Sequence, residues 1–106
     1  MSPVIGLHHI TAISASAQGN VDFFGKLLGL RLVKKTVNFD DPGTYHLYFA
    51  DRVGTPGSVL TFFPWAGVPK GIAGTGETGL THFAVAPGTL GFWRERLQAA
   101  GVAPVA

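Results

Sequence analysis

The sequence predicts an α+β fold, made of one complete βαβββ module followed by the first strand and helix of a second, truncated copy. Three observations predict it. The apolar period changes from strand-like to helix-like and back within the first forty residues, turn-forming clusters then separate further β-rich runs, and two stretches near the end repeat two near the beginning. With 106 residues, 46% of them apolar and 13% charged, the chain suits a small packed core rather than a disordered segment.

The first strand is expected over Ile5 to Ser14, which is rich in β-branched and apolar side chains, and Ser16 to Asn20 supplies a polar break. From there Val21, Phe24 and Leu28 recur at helical spacing, with Phe23 and Leu27 widening the stripe. Asn20 is the expected cap, Asp22 suits the positive end of the helix dipole, and Gly29 can take the left-handed conformation that ends a helix. Leu30 to Phe39 and Thr44 to Ala50 read as strands joined by a turn at Asp40 to Gly43. Ser58 to Phe63, after the glycine- and proline-containing break Asp51 to Gly57, is the last strand, and Pro64 closes it.

This gives a complete module over residues 1–66. Residues 67–79 follow as a glycine-rich connection, and residues 80–106 form an incomplete second module. The repeat defines the latter. Gly79-Leu80-Thr81-His82-Phe83-Ala84 parallels Gly6-Leu7-His8-His9-Ile10-Thr11, and Gly88-Thr89-Leu90-Gly91-Phe92-Trp93 parallels Gly19-Asn20-Val21-Asp22-Phe23-Phe24.

Composition excludes several classes of function. Eight Lys plus Arg against six Asp plus Glu leave a net charge of +2, too little for a nucleic-acid surface, and the pair Lys34-Lys35 reads as a solvated strand end. Without cysteine there is no disulfide and no thiolate metal site, so any ligand must be histidine, carboxylate or carbonyl. Neither a membrane span nor a basic leader is apparent, and cytoplasmic residence is the expectation.

The chemistry is concentrated in the histidines. Alternation along the first strand puts Leu7, His9, Thr11 and Ile13 on one face and His8, Ile10, Ala12 and Ser14 on the other. A helix carrying Val21, Phe24 and Leu28 can cover the Ile10–Ala12 face, which turns His9 toward an open cavity. By the repeat, His82 occupies the matching position, and two imidazoles facing one cup are two-thirds of a 2-His-1-carboxylate site. Glu77, Asp40, Asp41 and Asp51 lie in connections and turns, none placed by spacing where the third ligand is needed. His46 either lines the same cavity or bonds a backbone carbonyl, while Phe62, Phe63, Trp65, Phe92 and Trp93 read as core and helix cover. The run Gly71 to Gly76 precedes a strand pattern rather than a helix and is no phosphate loop.

Gly6-Leu7-His8-His9-Ile10-Thr11, the helix with Asp22-Phe23-Phe24, and Tyr45-His46-Leu47-Tyr48-Phe49-Ala50-Asp51 with Gly54-Thr55-Pro56-Gly57 together carry a resemblance. The chain resembles the ring-cleaving dioxygenases of the glyoxalase/bleomycin-resistance/dioxygenase superfamily, in particular the hydroquinone-cleaving branch, from about Ile5 to Gly101. The resemblance implies the vicinal oxygen chelate fold. It also implies an Fe(II) or Mn(II) held by two histidines and a glutamate, and cleavage of an aromatic diol by dioxygen. On the matching positions it makes His9 a metal ligand, His8 a catalytic neighbour that handles a proton, and Thr11 a pocket-lining residue. In that branch the other ligands come from the later half of a four-module chain, so the metal site here is expected to be incomplete and the chain inactive alone. The partners implied are a small aromatic substrate, dioxygen, and either a second copy of the chain or a missing C-terminal half, with no nucleic acid and no membrane. The alternative expectation is a metal-free, dimeric module that binds a small molecule in the manner of resistance proteins.

Overall fold

The computed structural model describes residues 3–40 and 43–103. They divide into two compact units, Met1–Val68 and Pro69–Ala106. The first unit holds β1 (His9–Ser14), α1 (Ala17–Asn20) running on into a π-helical segment (Val21–Leu27), β2 (Arg31–Val37), β3 (Tyr45–Ala50) and β4 (Val59–Pro64). The strands form one sheet in the order β1-β4-β3-β2. β1 and β4 are parallel, and the β4–β3 and β3–β2 pairs are antiparallel.

One face of this sheet is apolar because alternation gives it Ala12, Leu47, Phe49, Leu60 and Phe62. The helical stretch covers that face through Val21 and Phe24. The Phe24 ring sits 4.7 Å from Phe62 and 5.9 Å from Phe49, and Phe49 is 0% exposed. Gly29 ends the helical stretch at φ +76, as its position predicts. The start of the helix differs from expectation. Ser16 is the cap, accepting from the Gly19 amide at 2.9 Å, whereas Asn20 is buried and accepts from the Ser14 hydroxyl at 2.6 Å. Asn20 thus ties helix to sheet instead of capping the start of the helix, because the helix begins one turn earlier than the apolar stripe suggests. Asp22 lies in the second turn and pairs with Lys26 at 3.1 Å.

The first strand is also shorter than the apolar run. Val4 and Ile5 are 93% and 96% exposed and precede it, since only the stretch opposite Val59 to Pro64 finds a partner. A register shift between Leu32 and Lys34 bulges β2 at Val33. The expected turn at Asp40 to Gly43 includes positions 41–42, which lie outside the described residues.

In the second unit, α2 (Leu90–Ala99) forms as the repeat predicts. It closes with a hydrogen-bonded cap in which Gly101 adopts φ +78, the Gly101 amide donates to Gln98 at 3.0 Å and the Val102 amide to Leu97 at 2.8 Å. Phe92 meets Trp93 edge-on at 5.4 Å, as Phe23 meets Phe24 at 4.9 Å. The strand expected at Leu80 to Ala84 is absent: these residues carry no strand pairing, and Leu80 is 63% exposed. A strand exists only by sharing hydrogen bonds with a neighbour, and among the described residues none lies alongside this one. No helix among the described residues is long and apolar enough to cross a membrane.

Candidate functional site

The face of the sheet turned away from the helix carries the polar side chains. Register sets them in a row: Thr11 lies opposite Thr61, Thr61 opposite Tyr48, and Tyr48 opposite Lys34. His46, two residues before Tyr48, shares its face. Its ring is stacked at 4.0 Å on Phe63, which in turn stacks at 6.1 Å on Trp65. Lys34 Nζ stands 5.2 Å above the Tyr48 ring.

Four of these side chains form one hydrogen-bonded chain. The Thr61 hydroxyl donates to Thr11 Oγ1 at 2.6 Å, His46 Nε2 lies 3.1 Å from Thr61 Oγ1, and Tyr48 Oη lies 2.9 Å from His46 Nδ1. The hydrogens follow from this order. Having given its one hydrogen to Thr11, Thr61 can only accept from His46, so Nε2 carries the proton, Nδ1 accepts, and Tyr48 donates. His46 therefore lines the open face and bonds side chains, not a backbone carbonyl. Burial first, then the nearby charges of His9 and Lys34, holds its imidazole below the usual histidine range, which favours this neutral form.

A stability test follows. Because the folded pKa is the lower one, the unfolded chain binds the extra proton as pH falls. The contribution of neutral His46 is fully present above the unfolded value of about 6.5 and declines below it until the folded imidazole also protonates. Thermal melts are expected to lose less between about pH 7.5 and pH 5.5 for His46→Gln than for the parent. Equal losses in the two proteins would show that His46 does not titrate this way.

His9 opens β1 at its exposed end, and its Nδ1 lies 3.1 Å from Nδ1 of His8, with the two rings edge to face at 5.3 Å. The expectation that these neighbours point to opposite faces is corrected: alternation holds only inside a paired strand, and His8 sits in the bend before it. What holds His8 is its carbonyl, which accepts from the Gly57 amide at 2.7 Å. Gly57 can make this approach because it adopts φ +91, at the end of a loop whose start is organised by Asp51. The Asp51 carboxylate accepts from the Thr55 and Val53 amides at 2.9 and 3.1 Å, and its hydrogen bonds with Thr55 above all keep it below the usual carboxylate range. Gly57→Ala is accordingly expected to cost about 1–2 kcal/mol of unfolding free energy, the penalty of a left-handed non-glycine residue. A urea titration showing no loss would contradict this account of the loop.

His82 lies in the second unit, on the irregular segment before α2. Sequence reasoning passed over Thr61 and Tyr48. Alternation with His46 places Tyr48 on the open face, but Thr61 joins it only through strand register, which an eight-residue loop between β3 and β4 leaves unspecified. A shallow concavity of about 290 Å3 also lies in the second unit, lined by Arg94, Gln98, Gly101, Val102 and Ala103. It gathers one guanidinium and one amide with no partner group for chemistry.

A sequence model of the Glyoxalase/Bleomycin resistance protein/Dioxygenase superfamily matches residues 6–106. The chain belongs to this superfamily. Within it, the chain is 56% identical over 94 residues to MhqO of Bacillus subtilis (strain 168), provisionally named a ring-cleaving dioxygenase; the match takes in 89% of the chain and 30% of MhqO. It is 46% identical over 97 residues to the chlorohydroquinone/hydroquinone 1,2-dioxygenase of Sphingobium indicum, again 89% of the chain and 30% of the relative. The chain thus spans about a third of the length of these relatives. A crystal structure of a dioxygenase, so named provisionally, from Bacillus subtilis superposes with a TM-score of 0.87 at 55% identity, over 92% of this chain and 31% of that one. Fosfomycin resistance protein FosX of Listeria monocytogenes, solved with Mn(II) and a dihydroxypropylphosphonic acid, shares the fold at a TM-score of 0.67 and 15% identity, over 98% of this chain and 75% of that one.

The superfamily implies a divalent metal, and the residues present can be tested against one. His9 offers one exposed imidazole whose Nε2 has no partner among the described residues, and no group of three His, Asp or Glu side chains gathers among them. These residues do not by themselves make a divalent-cation site.

Proposed function

We propose that the chain is the N-terminal part of an extradiol-type ring-cleaving dioxygenase acting on hydroquinone- or catechol-like aromatics. The observation that carries this reading is the 46% identity to a hydroquinone 1,2-dioxygenase across 89% of the chain. The open face of the sheet supports it with groups suited to an aromatic diol. Thr11 meets and orients the ring's oxygens, His46 supports it from behind through Thr61, and Phe63 and Trp65 give that face an apolar, water-excluding border. In this reading His9 hands one imidazole to an Fe(II) or Mn(II), His82 is the candidate second donor, and the carboxylate comes from beyond the described residues. The Nδ1 atoms of His8 and His9 lie within one hydrogen bond, and with His9 as its donor Nε2 of His9 is unprotonated and able to reach outward. Proton handling near the substrate falls to His8, whose exposed ring stands beside His9. The whole protein's substrate is then the aromatic and dioxygen, and the setting cytoplasmic.

The reading is tested by a chimera in which this chain replaces the segment it matches in the Sphingobium indicum dioxygenase. After loading with Fe(II), hydroquinone is expected to open with matching uptake of dioxygen. A folded, iron-loaded chimera that consumes neither would sink the proposal. The alternative of a dimeric small-molecule binder draws on Leu7, Ile10 and Ile13, exposed by 77%, 42% and 59% along and before the free edge of β1. It predicts that the 106-residue chain sediments as a dimer and retains an apolar ligand without metal.

A further inference from the structure

The hydrogen-bonded chain on the open face has a direction, and the direction assigns a role to residues remote from its end. Tyr48 gives its hydrogen to His46, His46 to Thr61, and Thr61 to Thr11. Thr11 is the last member; its own hydroxyl hydrogen has no acceptor among the described residues, and its side chain is exposed on the face that also carries His9. Thr61, in the middle, is 0% exposed, so water does not compete for its single hydrogen. An isolated threonine hydroxyl donates or accepts with equal ease. One that already accepts from a polarised neighbour is a stronger donor, since successive hydrogen bonds reinforce one another where solvent is excluded.

We propose that His46 and Tyr48 are positioning residues that orient Thr11, through Thr61, as a hydrogen-bond donor to a negatively charged oxygen of the ligand, the phenolate of an aromatic hydroxyl. This rests on the aromatic-diol reading and deepens it by naming the ionisation state the face selects. His46 is held for the task on both sides of its ring: Phe63 stacks on one face at 4.0 Å, and the Tyr48 ring lies 4.3 Å away. A half-turn about χ2 would put Cδ2 and Cε1 where Nδ1 and Nε2 stand and break both hydrogen bonds at once. The preference for phenolate over neutral phenol comes from the extra strength of a hydrogen bond to a charged acceptor.

The test uses the 106-residue chain with 4-nitrophenolate as probe and 4-nitroanisole as its uncharged counterpart, together with 15N spectra of the His46 side chain. The parent is expected to prefer the phenolate, and Thr11→Val to lose about tenfold of that preference, the worth of one hydrogen bond to a charged group, while Thr11→Ser keeps it. His46→Phe and Tyr48→Phe are expected to lose about two- to threefold of it without changing affinity for the anisole. His46→Gln, whose amide can still donate to Thr61, restores most of it. The 15N spectra are expected to show a neutral ring protonated at Nε2.

Protonation at Nδ1, a parent chain indifferent to the charge of the probe, or folded His46→Phe and Tyr48→Phe variants with full preference would each overturn the proposal. The broader reading fails separately. Ring opening by the chimera with a phenolate preference untouched by Thr11→Val removes this inference alone; an intact preference with an inert chimera removes the oxygenase and leaves the inference standing.

Discussion

Phe49→Ala is expected to remove a large share of the chain's unfolding free energy. Phe49 is 0% exposed, sits in the central part of the sheet on β3, and touches both the helical stretch and β4 through Phe24 and Phe62. Removing the ring opens a cavity at the junction of three elements, so little can collapse to refill it. Such truncations cost about 3–5 kcal/mol, and a small domain has only about 5–15 kcal/mol in all. The buried cluster is small, Leu47, Phe49, Leu60 and Phe62, so no distant core compensates. Phe39→Ala is the control: that ring is 96% exposed and its loss is expected to stay within about 0.5 kcal/mol. Urea titrations of the three proteins, followed by near-ultraviolet circular dichroism, check both. A Phe49→Ala chain as stable as the Phe39→Ala chain would mean that the apolar face is not the core.

The second large effect concerns His9. In the Fe(II)-loaded chimera, His9→Ala is expected to lower ring opening by more than about 100-fold, because even the groups that merely orient a metal ligand are worth roughly 10- to 100-fold. Bound iron is expected to fall with it. His8→Ala is expected to do less, about 10-fold, and to leave most of the iron in place, since the His8 contribution is the shared hydrogen at 3.1 Å rather than a donor atom. Metal content by elemental analysis and initial rates of dioxygen uptake separate the two. Retention of iron and rate by His9→Ala would withdraw the metal-ligand role. Neither substitution is expected to disturb the fold, as both side chains are exposed at the beginning of β1.

Membership of the superfamily was legible in the residues because its marks are local. The apolar stripe through Val21 and Phe24, the chain reversal at Gly29, the alternating run of β3 and the repeated aromatic pair each answer a demand within a few residues, and each formed where expected. Gly54 and Gly57 show the same thing in the loop: both adopt a positive φ that only glycine takes without strain, so the pattern announces the turn before its shape is known.

Other features depended on partners distant in the chain. Gly79 to Ala84 repeats the pattern of Gly6 to Thr11 and yet forms no strand, because a strand needs a neighbour's hydrogen bonds and no such pairing is made among the described residues. Asn20 has the chemistry of a helix cap but is drawn inward by the Ser14 hydroxyl. The two adjacent histidines meet because Gly57 seizes the carbonyl between them, a contact across nearly fifty residues of sequence.

By itself, then, the sequence determined where the helical stretches end, which stretches of sequence echo one another and that the first strand carries a histidine pair near its start, all properties written over short spans. Only the tertiary structure decided that Thr11, Thr61, His46 and Tyr48 form one directed chain. Their contacts join β1, β4 and β3 through strand register, and register is fixed by packing the Phe49 and Phe62 face under Phe24, not by any residue's own preference.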